Sequence, residues 1–329
     1  MRTYSQMEGT QTSSDGLQVL QELGFQPMKA AVRQSIAIVK DAMEGRRDIL
    51  PTRWPRLNRQ LLGGLQPNKM YVIAGRPGSG KSAFSNQLLF DVLDLAKING
   101  KKVVVFYWTF EMPGYQQVLR SASKDTRKTL ADLYSVDTPL LEQEFQSYIN
   151  AVSRYTRFPI YFQNRPRSVS YMETATRRFH ALNPDTLIIN LIDHSRLVPE
   201  DKVDEEIIRL NILSKGCMRM QAENYCLTIL LSQLNRNIES PDRAKNQYQP
   251  ILSDVFGADS LSQDGHCVMI IQRPGDLYGI TAPYLGEDPK GLMAIHLEKN
   301  RDGILGMVPF DFNGATFTIT ERKRSTISK

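Results

Sequence analysis

Eight consecutive residues, Gly75-Arg-Pro-Gly-Ser-Gly-Lys-Ser82, fit the spacing G-x-x-x-x-G-K-[ST]. The chemistry of that spacing is phosphate binding. Its glycines let the backbone turn until successive N–H groups converge on a polyphosphate at the start of a helix. The lysine then neutralises the β and γ oxygens, and the final hydroxyl ligates Mg²⁺. The candidate nucleotide-binding residues are therefore Gly75, Arg76, Pro77, Gly78, Ser79, Gly80, Lys81, Ser82 and Ala83, with Lys81 also catalytic and Ser82 also a metal ligand. The implied ligand is a nucleoside triphosphate with Mg²⁺.

Hydrolysis needs one carboxylate to organise the metal and a second to activate water. Two apolar runs end in one each: Leu187-Ile-Ile-Asn-Leu-Ile-Asp193 and Val103-Val-Val-Phe-Tyr-Trp-Thr-Phe-Glu111. Asp193 is the candidate metal ligand and Glu111 the candidate general base. A third run, Leu227-Thr-Ile-Leu-Leu-Ser232, ends in Gln233, an amide able to sense a γ-phosphate. Asn190 puts a polar group inside the first of these runs and needs a partner there.

These groups must be held by strands and helices, and the patterning supplies both. Met70-Tyr-Val-Ile-Ala74 reads as a buried strand leading into the glycine-rich loop, and residues 83–97 follow with apolar side chains at helical spacing. Strands are further expected at 102–108, 160–162, 187–192, 226–231, 268–271, 293–297 and 307–312, and helices within 114–154, 170–182 and 205–223. Such alternation predicts an α/β fold, a mostly parallel twisted sheet with helices on both faces. Carboxylates and amides at strand ends then share one crevice. Two polar stretches, 235–249 and 275–290, are long enough to be functional loops. Ahead of the sheet, helical patterns cover residues 17–23 and 28–44; Val32, Ile36, Val39 and Met43 make an apolar stripe that must pack on its own domain or on a neighbouring subunit.

A length of 329 residues allows two domains or one large α/β domain with an appendage. No uninterrupted apolar run approaches the ~20 residues of a membrane span, and residues 1–16 lack the apolar core of a signal peptide. Cys217, Cys226 and Cys267 are odd in number and lack metal-ligand spacing, so buried free thiols are expected. The net charge of +6 is compatible with a polyanionic partner. The run Glu321-Arg-Lys-Arg-Ser-Thr-Ile-Ser-Lys329 is a solvated end or an auxiliary nucleic-acid contact.

Gly63-Gly-Leu-Gln-Pro67, Phe110-Glu-Met-Pro113, Ile192-Asp-His-Ser-Arg-Leu197, Leu231-Ser-Gln-Leu-Asn-Arg236, Ile251-Leu-Ser-Asp254 and Lys299-Asn-Arg-Asp-Gly303 follow one another in the order seen in the C-terminal motor domain of the DnaB-type replicative helicases. Six motifs in order, with the phosphate loop, resemble that family over roughly residues 31–312. The resemblance implies a RecA-like P-loop NTPase fold, a ring-shaped homohexamer, ATP and Mg²⁺ as cofactors, hydrolysis at subunit interfaces and movement along single-stranded DNA. It gives Lys81, Ser82, Glu111, Asp193 and Gln233 the roles already read for them. Lys299 and Arg301 match a basic pair that reaches into the neighbouring subunit's site, and the helix at 28–44 resembles the family's linker helix, docked on the adjacent subunit. The expected layout is a flexible segment with a short helix at 1–27, a linker helix at 28–49, the motor at 50–320 and a basic tail at 321–329. Primase or a helicase loader is an expected partner, and the cytoplasm of a bacterial or phage-infected cell the expected location.

Two departures stand out. The family's bacterial members carry a large N-terminal helical collar that binds primase, and fewer than fifty residues precede the motor here. A phage-like or mobile-element helicase is expected, or another protein supplies that role. Where the family places an arginine and a glutamate in a DNA-gripping loop, this chain has Phe256 and Gly257, and Phe256 either stacks on a base or belongs to the core. Arg236, Phe256, Gly257 and Asp259 are the candidate nucleic-acid contacts. The runner-up function is a RecA-like DNA-binding ATPase that does not itself unwind. A small-molecule kinase is disfavoured because Glu111 with Gln233 points to water as acceptor.

Overall fold

The computed structural model describes residues 14–201 and 203–323. Residues 1–13 of the expected flexible start and 324–329 of the expected tail lie outside them. The chain divides into two compact units, 1–48 and 49–329. The first holds helices α1 (Ser14–Glu22) and α2 (Met28–Met43). None of the side chains of α2 is buried, and the stripe Val32, Ile36, Val39 and Met43 is 46, 62, 59 and 83% exposed.

The second unit is built on a sheet. Among the described residues its strands are β1 (Met70–Gly75), β2 (Val103–Thr109), β3 (Ile160–Gln163), β4 (Leu187–Asp193), β5 (Cys226–Gln233), β6 (Cys267–Gln272), β7 (Leu292–Asn300), β8 (Gly306–Asn313) and β9 (Thr318–Glu321), in the order β3-β2-β4-β5-β1-β6-β7-β8-β9. The pairs up to β1–β6 are parallel and the last three antiparallel, so the expected mostly parallel sheet carries an antiparallel edge. Helices α3 (Pro55–Gln60), α4 (Lys81–Ile98), α5 (Gly114–Thr126), α6 (Leu130–Tyr134), α7 (Glu142–Ser153), α8 (Val169–Leu182), α9 (Glu206–Glu223), α10 (Ala258–Asp264) and α11 (Pro274–Tyr278) complete the unit.

All six residues of β1 are buried, and successive side chains go to opposite faces. Tyr71 and Ile73 join a core with Trp54, Leu57, Phe84, Leu88 and Phe310. Met70, Val72 and Ala74 join a second core with residues of α8, α9 and α10, among them Met172, Leu213 and Leu261. A sheet buried on both faces explains why its strands read as near-continuous apolar runs. Asn190 finds its partners inside β4: Trp108 Nε1 donates to its Oδ1 at 3.0 Å, and its Nδ2 donates to Thr176 Oγ1 at 3.2 Å. The three cysteines are free and buried.

The structure departs from the sequence expectations at several places, and neither α10 nor β9 is among the elements expected. Helix α3 has no counterpart among those elements, because its six residues are too few to show a period. The loops at 235–249 and 275–290 are partly helical, with 3₁₀ turns at Arg236–Glu239 and Pro241–Asn246 and α11 in the second. The basic tail does not leave the fold at Glu321: Glu321 ends β9 and its carboxylate accepts from Arg56 N–H at 3.0 Å and Leu57 N–H at 3.2 Å, while Arg322 bonds Asp311 at 2.7 Å. A net-charge reading of the run misses that its first two members have specific partners.

Trp54 joins the helix after the phosphate loop to the antiparallel edge. It stacks on Phe84 with centroids 5.0 Å apart and meets Phe310 edge-on at 5.1 Å. Trp54→Ala is expected to destabilise the unit by about 3–5 kcal/mol, as truncation of a buried tryptophan does. Urea denaturation monitored by circular dichroism should show the midpoint falling, and an unchanged midpoint would mean that this cluster does not hold α4 in place.

Candidate nucleotide site

The loop of residues 76–80 connects β1 to α4, as the spacing requires. Gly78 and Gly80 have φ of +77° and +94°, where other residues are strained. At Gly80 a Cβ would crowd only Met293 Cε, the movable end of a flexible side chain, at 2.5 Å, so it is the backbone conformation that calls for glycine. Lys81 curls back, its Nζ donating to Gly75 O at 2.9 Å and Arg76 O at 3.3 Å. Burial lowers its pKa, against the pull of Asp193 and Glu111. The Ser79 hydroxyl is fully buried with no partner. A helix N-terminus, a glycine turn, a half-buried ammonium and an unpaired hydroxyl are a donor set that fits a polyphosphate. Arg76, assigned to the same ligand, instead turns to the 235–249 loop and bonds Glu239 at 2.6 Å and Leu234 O at 3.2 Å.

Strand register brings the remaining groups to this loop. Gly75 pairs with Gln233 across β1 and β5, and Thr109 pairs with Asp193 across β2 and β4. Ser82 Oγ donates to Asp193 Oδ2 at 3.2 Å. Burial, and next the neighbouring Glu111, push the Asp193 carboxyl up to about 6, although Ser82 and Lys81 pull it down. Hydroxyl and carboxylate fit a hard divalent cation that takes its other ligands from phosphate and water. Glu111 lies two residues beyond β2, in a bend secured by Phe110 N–H donating to Asp193 O at 2.9 Å. Its side chain is 59% exposed, and Oε2 lies 3.6 Å from His194 Nε2. His194 is buried and its pKa is lowered, chiefly by that burial. Gln233 Nε2 lies 3.5 Å from the same His194 nitrogen.

Pro77, Gly78, Gly80, Lys81, Ser82 and Ala83 thus line one cavity of about 390 Å³ with Glu111, Asp193 and Gln233. A larger cavity of about 820 Å³, beside α3 and β9, shares no residue with it. Sequence reasoning missed several members of the site. Arg273, just past β6, donates to Gly78 O at 3.0 Å and lies over the Phe312 ring at 4.7 Å; Arg120 lies over Phe317 at 5.2 Å. These aromatic and cationic faces suit a planar base. The strand-end argument that finds Gln233 extends to Arg273, whereas Phe312 and Phe317 come from the antiparallel edge and carry no signal of their own.

Lys299 and Arg301 are not brought to this cavity. Lys299 pairs with Val268 near the start of β6, and Arg301 N–H donates to His266 O, whereas the loop follows the other end of β1. The level of Arg301 lies about five residues back along the sheet from Gly75, roughly 16 Å at about 3.3 Å per residue. Their side chains bond the last carbonyls of α10: Lys299 Nζ reaches Ser262 O at 2.6 Å and Gln263 O at 2.7 Å, and Arg301 Nη2 reaches Gln263 O at 2.6 Å. Of the candidate nucleic-acid contacts, Arg236 is exposed and Phe256 and Gly257 are half-buried. One face of Phe256 is covered by the Arg196 guanidinium at 4.5 Å, and the ring packs against the second core. The Asp259 side chain lies outside the described residues.

A phosphate loop between β1 and α4, with Asp193, Glu111 and Gln233 at or just past the ends of parallel strands of the same sheet, defines a RecA-like P-loop NTPase fold. The chain belongs to the DnaB-like helicase C-terminal domain family, whose sequence profile matches residues 50–321. It is 27% identical over 267 residues to the replicative DNA helicase DnaB of Buchnera aphidicola subsp. Schizaphis graminum, covering 80% of this chain and 53% of that one. It is 28% identical over 277 residues to the replicative DNA helicase DnaB of Mycoplasma pneumoniae, covering 80% and 55%. The chain therefore spans about half the length of these curated relatives. Among solved structures, an isolated ATPase domain matches with a TM-score of 0.76 at 21% identity, over 89% of this chain and 99% of that one. A DnaB-like replicative helicase, described with its interactions with primase, matches at 0.74 and 21%, over 93% and 74%. Among the described residues no helix is long and apolar enough to cross a membrane.

Lys81→Ala is expected to abolish ATP hydrolysis while the fold persists, since the ammonium is half-buried at a cost and makes only two local contacts. Glu111→Gln should still bind ATP and stall, because the exposed carboxylate is outside the loop that holds phosphate. Fluorescent-nucleotide binding with single-turnover hydrolysis separates the two, and loss of binding in Glu111→Gln would give that residue another role. A pH effect follows from Asp193, whose carboxyl moves from 3.8 to about 6. The folded, nucleotide-free protein takes up this proton before the unfolded chain does, so the contribution of this group to stability falls as pH rises through that window. Burial pushes Asp91 up to about 6 as well, so Asp193→Asn should reduce, not abolish, that slope in urea midpoints measured between about pH 4 and 7, and an unaltered slope would assign it to other groups.

Proposed function

We propose that this chain is the ATP-hydrolysing motor of a hexameric DNA helicase that translocates on single-stranded DNA during replication. One observation carries the reading. Lys299 and Arg301 lie at the end of the sheet opposite their own phosphate loop, so they meet such a loop only if it belongs to another copy. The unburied stripe of α2 is the second surface in want of a partner, and a ring supplies neighbours for both.

ATP with Mg²⁺ supplies the phosphoryl group and its charge neutralisation. Ser82 Oγ and Asp193 Oδ2 would hold the metal, and the loop N–H groups with Lys81 Nζ would bind phosphate oxygens. Glu111 is placed to take a proton from water, and its exposed side chain has room to align on it. Gln233 Nε2 offers a donor to a γ-phosphate oxygen. Arg301, with Lys299, delivers positive charge from the neighbouring subunit to where negative charge develops, which makes turnover depend on assembly. Primase or a loader would be a further partner, and the cytoplasm the site of action. One observation favours a second reading, an ATPase that binds DNA without unwinding it: the half-buried Phe256 and the side-chain-free Gly257 offer no cation to a phosphate. Strand displacement on forked DNA decides between the two.

Arg301→Ala is expected to lose hydrolysis by roughly 10³-fold, the lower end for a finger supplied in trans. An excess of Lys81→Ala protein, which keeps its arginine, should partly restore the rate in mixed rings. Absence of rescue despite subunit mixing proven by native mass spectrometry would count against action in trans. Removal of residues 1–45 should leave a folded, weakly active monomer, since the cores of the second unit include no residue of α2. Light scattering provides the check, and an undiminished hexamer with normal ATPase would show that α2 has no role in assembly.

A further inference from the structure

Arg196 lies three residues beyond the metal-binding Asp193 and does not line the nucleotide cavity. Its guanidinium is nevertheless held from three sides. Nε and Nη2 fork onto the carboxylate of Glu206 in the first turn of α9, the latter at 3.0 Å. Nη1 donates to Gln233 Oε1 at 3.3 Å. The Arg196 Cζ lies 4.5 Å from the centroid of the Phe256 ring. A planar fork fixed by a bidentate carboxylate and a stacked ring has little freedom left.

The contact with Gln233 decides which end of its amide faces the cavity. A guanidinium carries only donors, so it selects the carbonyl oxygen of Gln233 and leaves the Nε2 donor turned toward His194 and the cavity. A sensor of a γ-phosphate oxygen needs that donor end forward. The backbone repeats the connection. Phe256 N–H donates to Gln233 O at 2.9 Å, Asn235 N–H donates to Asp254 O at 2.8 Å, and Leu234 and Val255 form an isolated bridge. The segment around Phe256 is therefore tied to Gln233 through the main chain and, through Arg196, to its side chain.

We propose that Arg196 is a positioning residue: it orients the Gln233 amide for the γ-phosphate and joins that orientation to the position of Phe256. The proposal rests on the reading of Gln233 as the phosphate sensor. Because the pair with Glu206 neutralises Arg196 and the side chain stays out of the cavity, it acts on turnover through Gln233 and not by touching nucleotide.

The test is a double-mutant cycle in steady-state hydrolysis with ATP and Mg²⁺, on full-length protein whose folding is checked by circular dichroism. Removing a preorganised donor costs about 10²–10³ in kcat, and Arg196→Ala, which frees the donor without removing it, is expected to cost roughly tenfold with KM within about twofold. In a Gln233→Ala background the same substitution should cost nothing further. Arg196→Lys, which keeps the charge but cannot fork, should resemble Arg196→Ala. Phe256→Leu, which keeps bulk but removes the ring face, should lower kcat in the wild-type background and have no effect once Arg196 is alanine. Additive losses at Arg196 and Gln233, a full rate for Arg196→Lys, or a raised KM at unchanged kcat would each overturn the proposal. If Gln233→Ala alone hydrolyses at the wild-type rate, the sensor reading fails; if Gln233→Ala is slow and the cycle is additive, only the role of Arg196 fails.

Discussion

The parallel hydrogen-bond ladder flanking β1 is the constraint on which the site depends. It sets Gly75 level with Gln233 on one side and with Ile271 on the other, and the ladder between β2 and β4 sets Thr109 level with Asp193. The phosphate loop, the Asp193 carboxylate and the Gln233 amide are therefore neighbours before any side chain chooses a rotamer. A slip of one residue along β1 would exchange its faces, sending Tyr71 and Ile73 into the core that now holds Val72 and Ala74. Both faces of the strand are packed, so the register is fixed by burial, and catalysis inherits that precision.

Against this rigid frame the charged groups are held at a disadvantage. Asp193 is 2% exposed with its carboxyl pushed up, and Lys81 is desolvated enough to lower its pKa. Each relieves the other only in part. Groups kept in this condition gain most from a ligand that brings the complementary charge. Glu111, by contrast, keeps its side chain exposed at the mouth of the cavity.

Much of this arrangement is legible in the sequence because it is local or periodic. The glycine-rich loop is contiguous, and the apolar runs ending in Asp193, Glu111 and Gln233 announce strand ends buried on both faces. Asn190 can be recognised as needing a partner, but Trp108 and Thr176 cannot be named, since they come from β2 and α8. Arg196 is invisible for the same reason: its meaning lies in Glu206, Gln233 and Phe256, from three separate segments. Arg273 has the same strand-end signal as Gln233, but the apolar run of β6 closes with Gln272 and hides it. The residues that reach furthest in sequence, Phe312 and Phe317, arrive by antiparallel pairing that alternation of strands and helices does not foretell. Lys299 and Arg301 lie away from their own cavity, bonded to the last carbonyls of α10, and the role proposed for them needs another copy, which one chain's sequence does not display.

The closing contact of the second unit has a mechanical consequence. Glu321, at the end of its last strand, binds the backbone of Arg56 and Leu57 at the start of its first helix, and Arg322 adds its own bond to Asp311. The end of the last strand is thus within hydrogen-bond reach of the start of the unit's first helix. Force that lifts Glu321 away from α3 would act on these bonds and on the pairing of β9 with β8, at the far edge of the sheet, before it reached the parallel ladder beside β1.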